Sequence, residues 1–141
     1  MIDINSLDRF LQMQEWQYPT ALEEIKRGHK RSHWIWYIFP QLRGLGSSSN
    51  SYVYGISDGD EAKRYLEHPA LSERLFEITA ALLEHKDKSA IEIMGDIDAL
   101  KLRSSMTLFA SVSKEGSLFQ QVLDAFYNGE LDKRTVEMLN T

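Results

Sequence analysis

Two stretches of this chain bring together residue types that can do chemistry. The first contains His33, Trp36, Gln41, Arg43, Gly44, Gly46, Ser47, Ser48 and Tyr54. A glycine- and serine-rich loop beside an arginine offers backbone N–H groups, hydroxyls and a guanidinium fork that can cradle an anion. Trp36 and Tyr54 can stack on a base or sugar ring, and Gln41 adds a hydrogen-bonding amide. His33 adjoins both the basic and the aromatic residues and is the best-placed acid–base candidate. The second stretch runs from Asp96 to Phe109. Helical spacing puts Asp98, Lys101 and Ser105 on one stripe, at steps of three and four. Ser105 with Lys101 would make a nucleophile pair, although no oxyanion-binding element accompanies it. His33, Lys101 and Ser105 are therefore the catalytic candidates. Trp36, Gln41, Arg43, Gly44, Gly46, Ser47, Ser48, Tyr54 and Asp98 are the ligand-binding ones.

Each feature also has a plainer reading. The loop is neither a P-loop, since no Gly-Lys-Ser/Thr follows, nor a dinucleotide fingerprint, since the third glycine and a βαβ setting are missing. It would serve equally as a turn-rich connection. The aromatic run of Trp34, Trp36, Tyr37, Phe39, Tyr52 and Tyr54 suits a core as well as a stacking platform. Asp98 and Lys101 would also make an exposed ion pair. Lys26 and Arg27 fit the C-terminal end of a helix, where the dipole favours cations. His29 and His33 are four apart, but Gly28 and Ser32 interrupt the helix that would present both to zinc, so no metal site is expected. No cofactor is implied either.

The charge distribution sharpens the anion reading. The chain carries a formal charge of -5, which argues against binding nucleic acid by general phosphate neutralisation. Yet between Glu24 and Asp58 no acidic residue occurs, while Lys26, Arg27, Lys30, Arg31 and Arg43 do. A positive interval in an acidic chain suggests a focused site for a small anion such as a nucleotide, a sugar phosphate or an ADP-ribose-like compound. The alternative is a protein-interaction module or homodimer that uses the aromatic 34–54 segment as its contact surface.

The elements that must position these residues are helical. With 141 residues, 43% of them hydrophobic, the chain suffices for one domain with a real core spanning 1–141. It has no cysteine and no apolar run long enough for a membrane span. Its first residues do not resemble a signal peptide, so a cytoplasmic location is expected. Asn5 or Ser6 caps a first helix to about Glu15, Tyr18-Pro19 marks a break, and a second helix runs from Pro19 to Arg27, stopped by Gly28. A short helix over His33–Phe39 is closed by Pro40. Residues 43–59 read as one long irregular loop. Further helices cover Asp60–Glu67, Pro69–Glu84, a short segment after the capping box Ser89–Glu92, and Asp96 to about Val112. Another follows a second box, Ser117–Gln120, and a last one follows Asp132. The fold class is all-α, a compact multi-helical domain of about seven to nine helices with one Gly/Ser-rich loop.

Several strings together carry a family resemblance. His33-Trp-Ile-Trp-Tyr-Ile-Phe-Pro-Gln41, Gly44-Leu-Gly46-Ser, Tyr54-Gly-Ile, Tyr65-Leu66-Glu-His68-Pro69 and Lys101-Leu-x-Ser-Ser-Met-Thr-Leu-Phe109 resemble the bacterial domain of unknown function 1810 family. The likeness extends from Phe10 to Thr135, with small departures such as Ile35 where the family often has methionine. It implies a small, mostly helical cytoplasmic domain and no established activity. Some members are labelled calpastatin-like; that inhibitor is a disordered, repeat-bearing chain, unlike this compact one.

Overall fold

A computed structural model describes residues 2–140. Among them are nine helices: α1 (Asp8–Lys26), α2 (Ile35–Ile38), α3 (Ser49–Val53), α4 (Gly59–Glu67), α5 (Pro69–Leu83), α6 (Ala90–Met94), α7 (Asp96–Ser111), α8 (Leu118–Tyr127) and α9 (Lys133–Leu139). The all-helical expectation holds; the β content of the described residues is a single parallel bridge, Leu42 to Ile56.

α1 departs from the sequence reading, because it runs straight through Pro19. Phe10, Gln14, Tyr18, Ala21 and Ile25 are all buried at helical spacing, so one continuous stripe packs on both sides of the proline. The Glu15 carbonyl, which Pro19 deprives of its N–H donor, lies on the exposed face with Trp16 and Thr20, where water can satisfy it. Leu7 is the N-cap, and Ser6 accepts the Asp8 N–H from one residue earlier.

The 43–59 segment also departs from expectation. It contains α3, capped by Ser48, whose hydroxyl accepts the Ser51 N–H at 3.1 Å. Two glycines make that compact path feasible. A Cβ on Gly46 would lie 2.4 Å from Ser51 Oγ, and one on Gly55 would lie 2.5 Å from Arg43 Cα. The segment is pinned where the Arg43 N–H donates to the Ile56 carbonyl at 2.8 Å and the Ile56 N–H to the Gln41 carbonyl at 2.9 Å. A bridge of this kind lets residues 39–43 and 54–56 run side by side without a sheet.

Most helix starts follow local signals. Asp58, Ser89, Ser117 and Asp132 each accept an N–H three residues on, and Pro69 opens α5. The Ser89–Glu92 capping box is reciprocal, whereas the Gln120 amide donates forward to Asp124 instead of back to Ser117. Gly95, not Asp96, is the N-cap of α7. At φ 86° it ends α6 and begins α7 in one residue, a conformation suited to glycine.

α7 is the central helix. It packs on α8, α6, α4, α9 and α2, while α5 bridges α1 and α8. An aromatic chain threads the core: Phe10 against Tyr65 (5.2 Å between centroids), Tyr65 against Phe109 (5.3 Å) and Phe109 against Phe119 (5.6 Å). Each ring contributes roughly 1.5–3 kcal/mol by burial. A buried ion pair complements it. Arg9 forks onto Glu61 at 3.0 and 3.1 Å and also donates to the Ser6, Val53 and Gly55 carbonyls. Burial alone would raise the Glu61 pKa, but Arg9 and the Ser57 N–H outweigh it and hold the carboxyl below its ordinary value. This pair fastens α1, α4 and the end of the 43–59 segment together.

Candidate functional site

The turn between α1 and α2 is built on Glu24. Its Oε1 accepts the Arg31 N–H (2.7 Å), the Ser32 N–H (2.9 Å) and the buried Trp34 indole N–H (2.9 Å), while Oε2 accepts the Ser32 hydroxyl (2.5 Å). Burial pushes the Glu24 pKa up, and these four donors more than reverse it, leaving the carboxyl at about 2. Lys30 then ties the turn to the α6–α7 junction. Its N–H donates to the Ile93 carbonyl at 2.7 Å, and its ammonium pairs with Asp98 at 2.6 Å, lies 4.8 Å from the Trp34 ring centroid and donates to the Ser32 carbonyl.

That fastening forms an open depression of about 520 Å³ lined by His33, Trp36, Met94, Gly95, Asp96, Ile97, Asp98 and Lys101. Four residues singled out in the sequence, His33, Trp36, Asp98 and Lys101, thus meet although they come from stretches sixty residues apart. Asp98 belongs to Lys30 and not to Lys101. Lys101 makes no ion pair among the described residues; its ammonium sits 4.9 Å from the Trp36 ring centroid. Trp36 Nε1 is buried and meets no acceptor among the described residues. The arrangement offers an imidazole and a cation without an ion pair among the described residues, beside apolar walls.

The other candidates lie elsewhere. Neither Arg43 nor residues 44–48 line the depression. Arg43 donates to the Tyr52 and Ile4 carbonyls, both at 2.8 Å, and covers the Tyr52 ring. It holds the 43–59 segment to the N-terminal one. Gly44 lies against Met138, Gly46 against Ser51, and Ser48 caps α3; Ser47 is exposed. Gln41 is buried at the Leu42–Ile56 bridge, and Tyr54 is a core residue, edge-on to Tyr37 at 4.9 Å. Ser105 is 0% exposed and its hydroxyl meets no partner, so it is too deep to act as a nucleophile on anything held in the depression. Among the described residues no group of three or more His, Asp or Glu is placed to hold a metal ion, and no helix is long and apolar enough to cross a membrane.

Glu24 and Lys30, which build the site, figure in the sequence only as the edge of the acid-free interval and one of its cations, not as candidate site residues. For Glu24 a signal existed: it is the last acid before the acid-free interval, and something must accept the donors of that turn. For the Lys30–Asp98 pair, separated by 68 positions, no local pattern points from one partner to the other.

Comparison with known proteins bears on the fold and the family. The structure of a conserved hypothetical protein, Rv1873 from Mycobacterium tuberculosis, superposes with a TM-score of 0.94 at 45% identity over 99% of both chains. No curated protein matches the chain. The model of a family described as a protein of unknown function, DUF1810, matches residues 4–139. With nearly the whole chain matched, the protein belongs to the DUF1810 family.

Proposed function

We propose that this protein binds a small anionic ligand, of the nucleotide, sugar-phosphate or ADP-ribose-like class, in the depression between the 30–36 turn and the start of α7. The carrying observation is the Lys101 ammonium, which rests on an indole and makes no ion pair with a carboxylate among the described residues. A cation over an aromatic face at a partly exposed position holds only about 0.5–1 kcal/mol of attraction, so an anion can recruit it at small cost. His33, exposed on the same rim, is a further donor for the ligand. Should chemistry follow binding, His33 is the acid–base group within reach. Arg43 and the 44–48 loop take no part in this reading.

A thermal-shift panel of nucleotides and phosphosugars tests it. A ligand at 100 times its Kd adds about 2.7 kcal/mol to stability, and Lys101→Ala is expected to remove that shift. The proposal fails if no member of the panel raises the melting temperature, or if Lys101→Ala leaves the shift intact.

A second reading, a protein-interaction surface or homodimer, draws support from Ile97, Leu100 and Ile91, which are 70%, 64% and 58% exposed around the α6–α7 junction. It draws little from the 34–54 aromatics: Trp34, Tyr37, Phe39 and Tyr54 are buried, Trp36 is half-buried, and Tyr52, though exposed, lies under Arg43. Light scattering separates the two: a dimer that dissociates on Ile97→Lys favours the interaction surface, and a monomer removes the homodimer.

A further inference from the structure

We infer that Lys101 is a displaceable cap on the Trp36 indole, and that the ligand of this site is an anion carrying a flat heteroaromatic ring, as in a nucleoside monophosphate, in preference to a bare sugar phosphate. This inference rests on the anion-binding reading above and names the ligand class. Three observations lead to it. The walls of the depression are largely apolar, made by Trp36, Met94, Ile97 and the Lys101 stem. A shallow apolar floor favours a flat apolar body over one studded with hydroxyls. The Trp36 ring meets Tyr37 with centroids 6.0 Å apart and Lys101 Nζ at 4.9 Å. The face under Lys101 is therefore the one that opens when the ammonium moves. Finally, Trp36 Nε1 has no acceptor among the described residues, so no hydrogen bond holds the ring against a small adjustment when the ammonium leaves.

The exchange is simple in charge terms. An incoming phosphate draws Nζ off the indole into a charge-assisted contact, which is stronger than a cation on a ring. The uncovered face then takes the ligand's ring. Asp98 stays neutralised by Lys30, so it does not oppose the anion. Asp96, exposed on the rim, bears the other carboxylate of the lining. It can accept ribose hydroxyls and disfavours additional phosphates.

The test is calorimetric titration of the full chain with AMP, adenosine, ribose 5-phosphate and inorganic phosphate. The Trp36 indole N–H resonance is followed in parallel, identified by its loss in Trp36→Phe. AMP is expected to bind about tenfold or more tighter than either adenosine or ribose 5-phosphate, one order for each missing contact. Lys101→Met keeps the stem and removes the charge. It should bring AMP down to the level of adenosine while leaving adenosine unchanged or tighter, because the indole is already uncovered. Equal binding of ribose 5-phosphate and AMP by the wild type would overturn the ring requirement and leave the anion site standing. Adenosine weakened by Lys101→Met as much as AMP would overturn the cap. If none of the phosphate compounds binds the wild type, both this inference and the anion-binding reading fall. The wild-type series decides the ligand class even if a variant misfolds.

Discussion

Replacing Glu24 by glutamine removes one negative charge from the centre of the turn that carries Lys30 and His33. The amide keeps an oxygen to accept the Arg31, Ser32 and Trp34 N–H groups, and the Ser32 hydroxyl can rotate to accept from the new NH2. The hydrogen bonds persist in number, and what is lost is their charge assistance. In the native protein the Glu24 carboxyl titrates at about 2, against an ordinary value of 4.5. At about 1.4 kcal/mol per pH unit, that difference corresponds to roughly 3 kcal/mol of folding stability. Because the folded pKa is the lower one, this contribution is complete above pH 4.5 and is lost as the pH falls through the interval down to about 2.

Urea unfolding of wild type and Glu24→Gln at a series of pH values reads this directly. The expected gap is about 3 kcal/mol at pH 7, near 6–12 °C in melting temperature for a domain of this size, and it should shrink towards zero between pH 4.5 and 2. Other carboxylates, Glu61 among them, titrate in both proteins and cancel in the difference. A gap that stays constant with pH would refute the reasoning, because it would place the effect of the substitution in packing and not in the ionised carboxylate. An absent gap at pH 7 would mean that the four donors do not stabilise the charge.

Three other substitutions test the fold that supports the site. Arg9→Met leaves Glu61 buried without its partner and should cost about 3–5 kcal/mol, with much of that recovered in Arg9→Met/Glu61→Leu; chemical denaturation checks both, and a double variant no better than the single would deny the pairing. Gly55→Ala drives a Cβ to within 2.5 Å of Arg43 Cα and 2.7 Å of the Ser51 carbonyl, both backbone atoms, and should lower stability by about 1–3 kcal/mol, a loss that vanishes only if the segment shifts freely. Pro19→Ala restores an N–H inside α1 and should stabilise by about 2 kcal/mol, the helix-interior cost of proline of about 3 less its benefit of up to about 1 in restricting the unfolded chain; an unchanged melting temperature would show that α1 already accommodates the ring without cost.

Sequence reading succeeds here where a structural decision is local. Ser89, Ser117 and Asp132 start helices because each side chain reaches an N–H three residues on, and that geometry is written in the spacing. Pro19 misleads because the rule that proline ends a helix weighs one lost hydrogen bond and ignores the buried stripe from Phe10 to Ile25 that spans it. α3 is hidden for the opposite reason. Ser49-Asn-Ser-Tyr-Val has little helical propensity of its own, and the turn depends on the Ser48 cap, on the close approach allowed at Gly46 and Gly55, and on the Arg9 bonds to Val53 and Gly55. Arg9 and Glu61 are 52 positions apart, and no spacing rule connects them.

The acid-free interval is the most instructive case. Cations without nearby acids in sequence suggest a site awaiting an external anion, yet most of that charge is answered from outside the interval or by the backbone. Arg27 pairs with Glu23, Lys30 with Asp98, and Arg43 with two carbonyls. Glu24, at the edge of the interval, takes the N–H and hydroxyl donors of the turn. Partners close in space replace the ones missing in sequence, so the shortage of acid is no measure of unmet charge. The case for an anion then moves from Arg43 to Lys101, which lies outside the interval and among nearby carboxylates. Asp98 is taken by Lys30, and Lys101 is left on an indole. What selects Lys101 is not a local excess of positive charge but an assignment of partners in which a neighbour has claimed the adjacent acid.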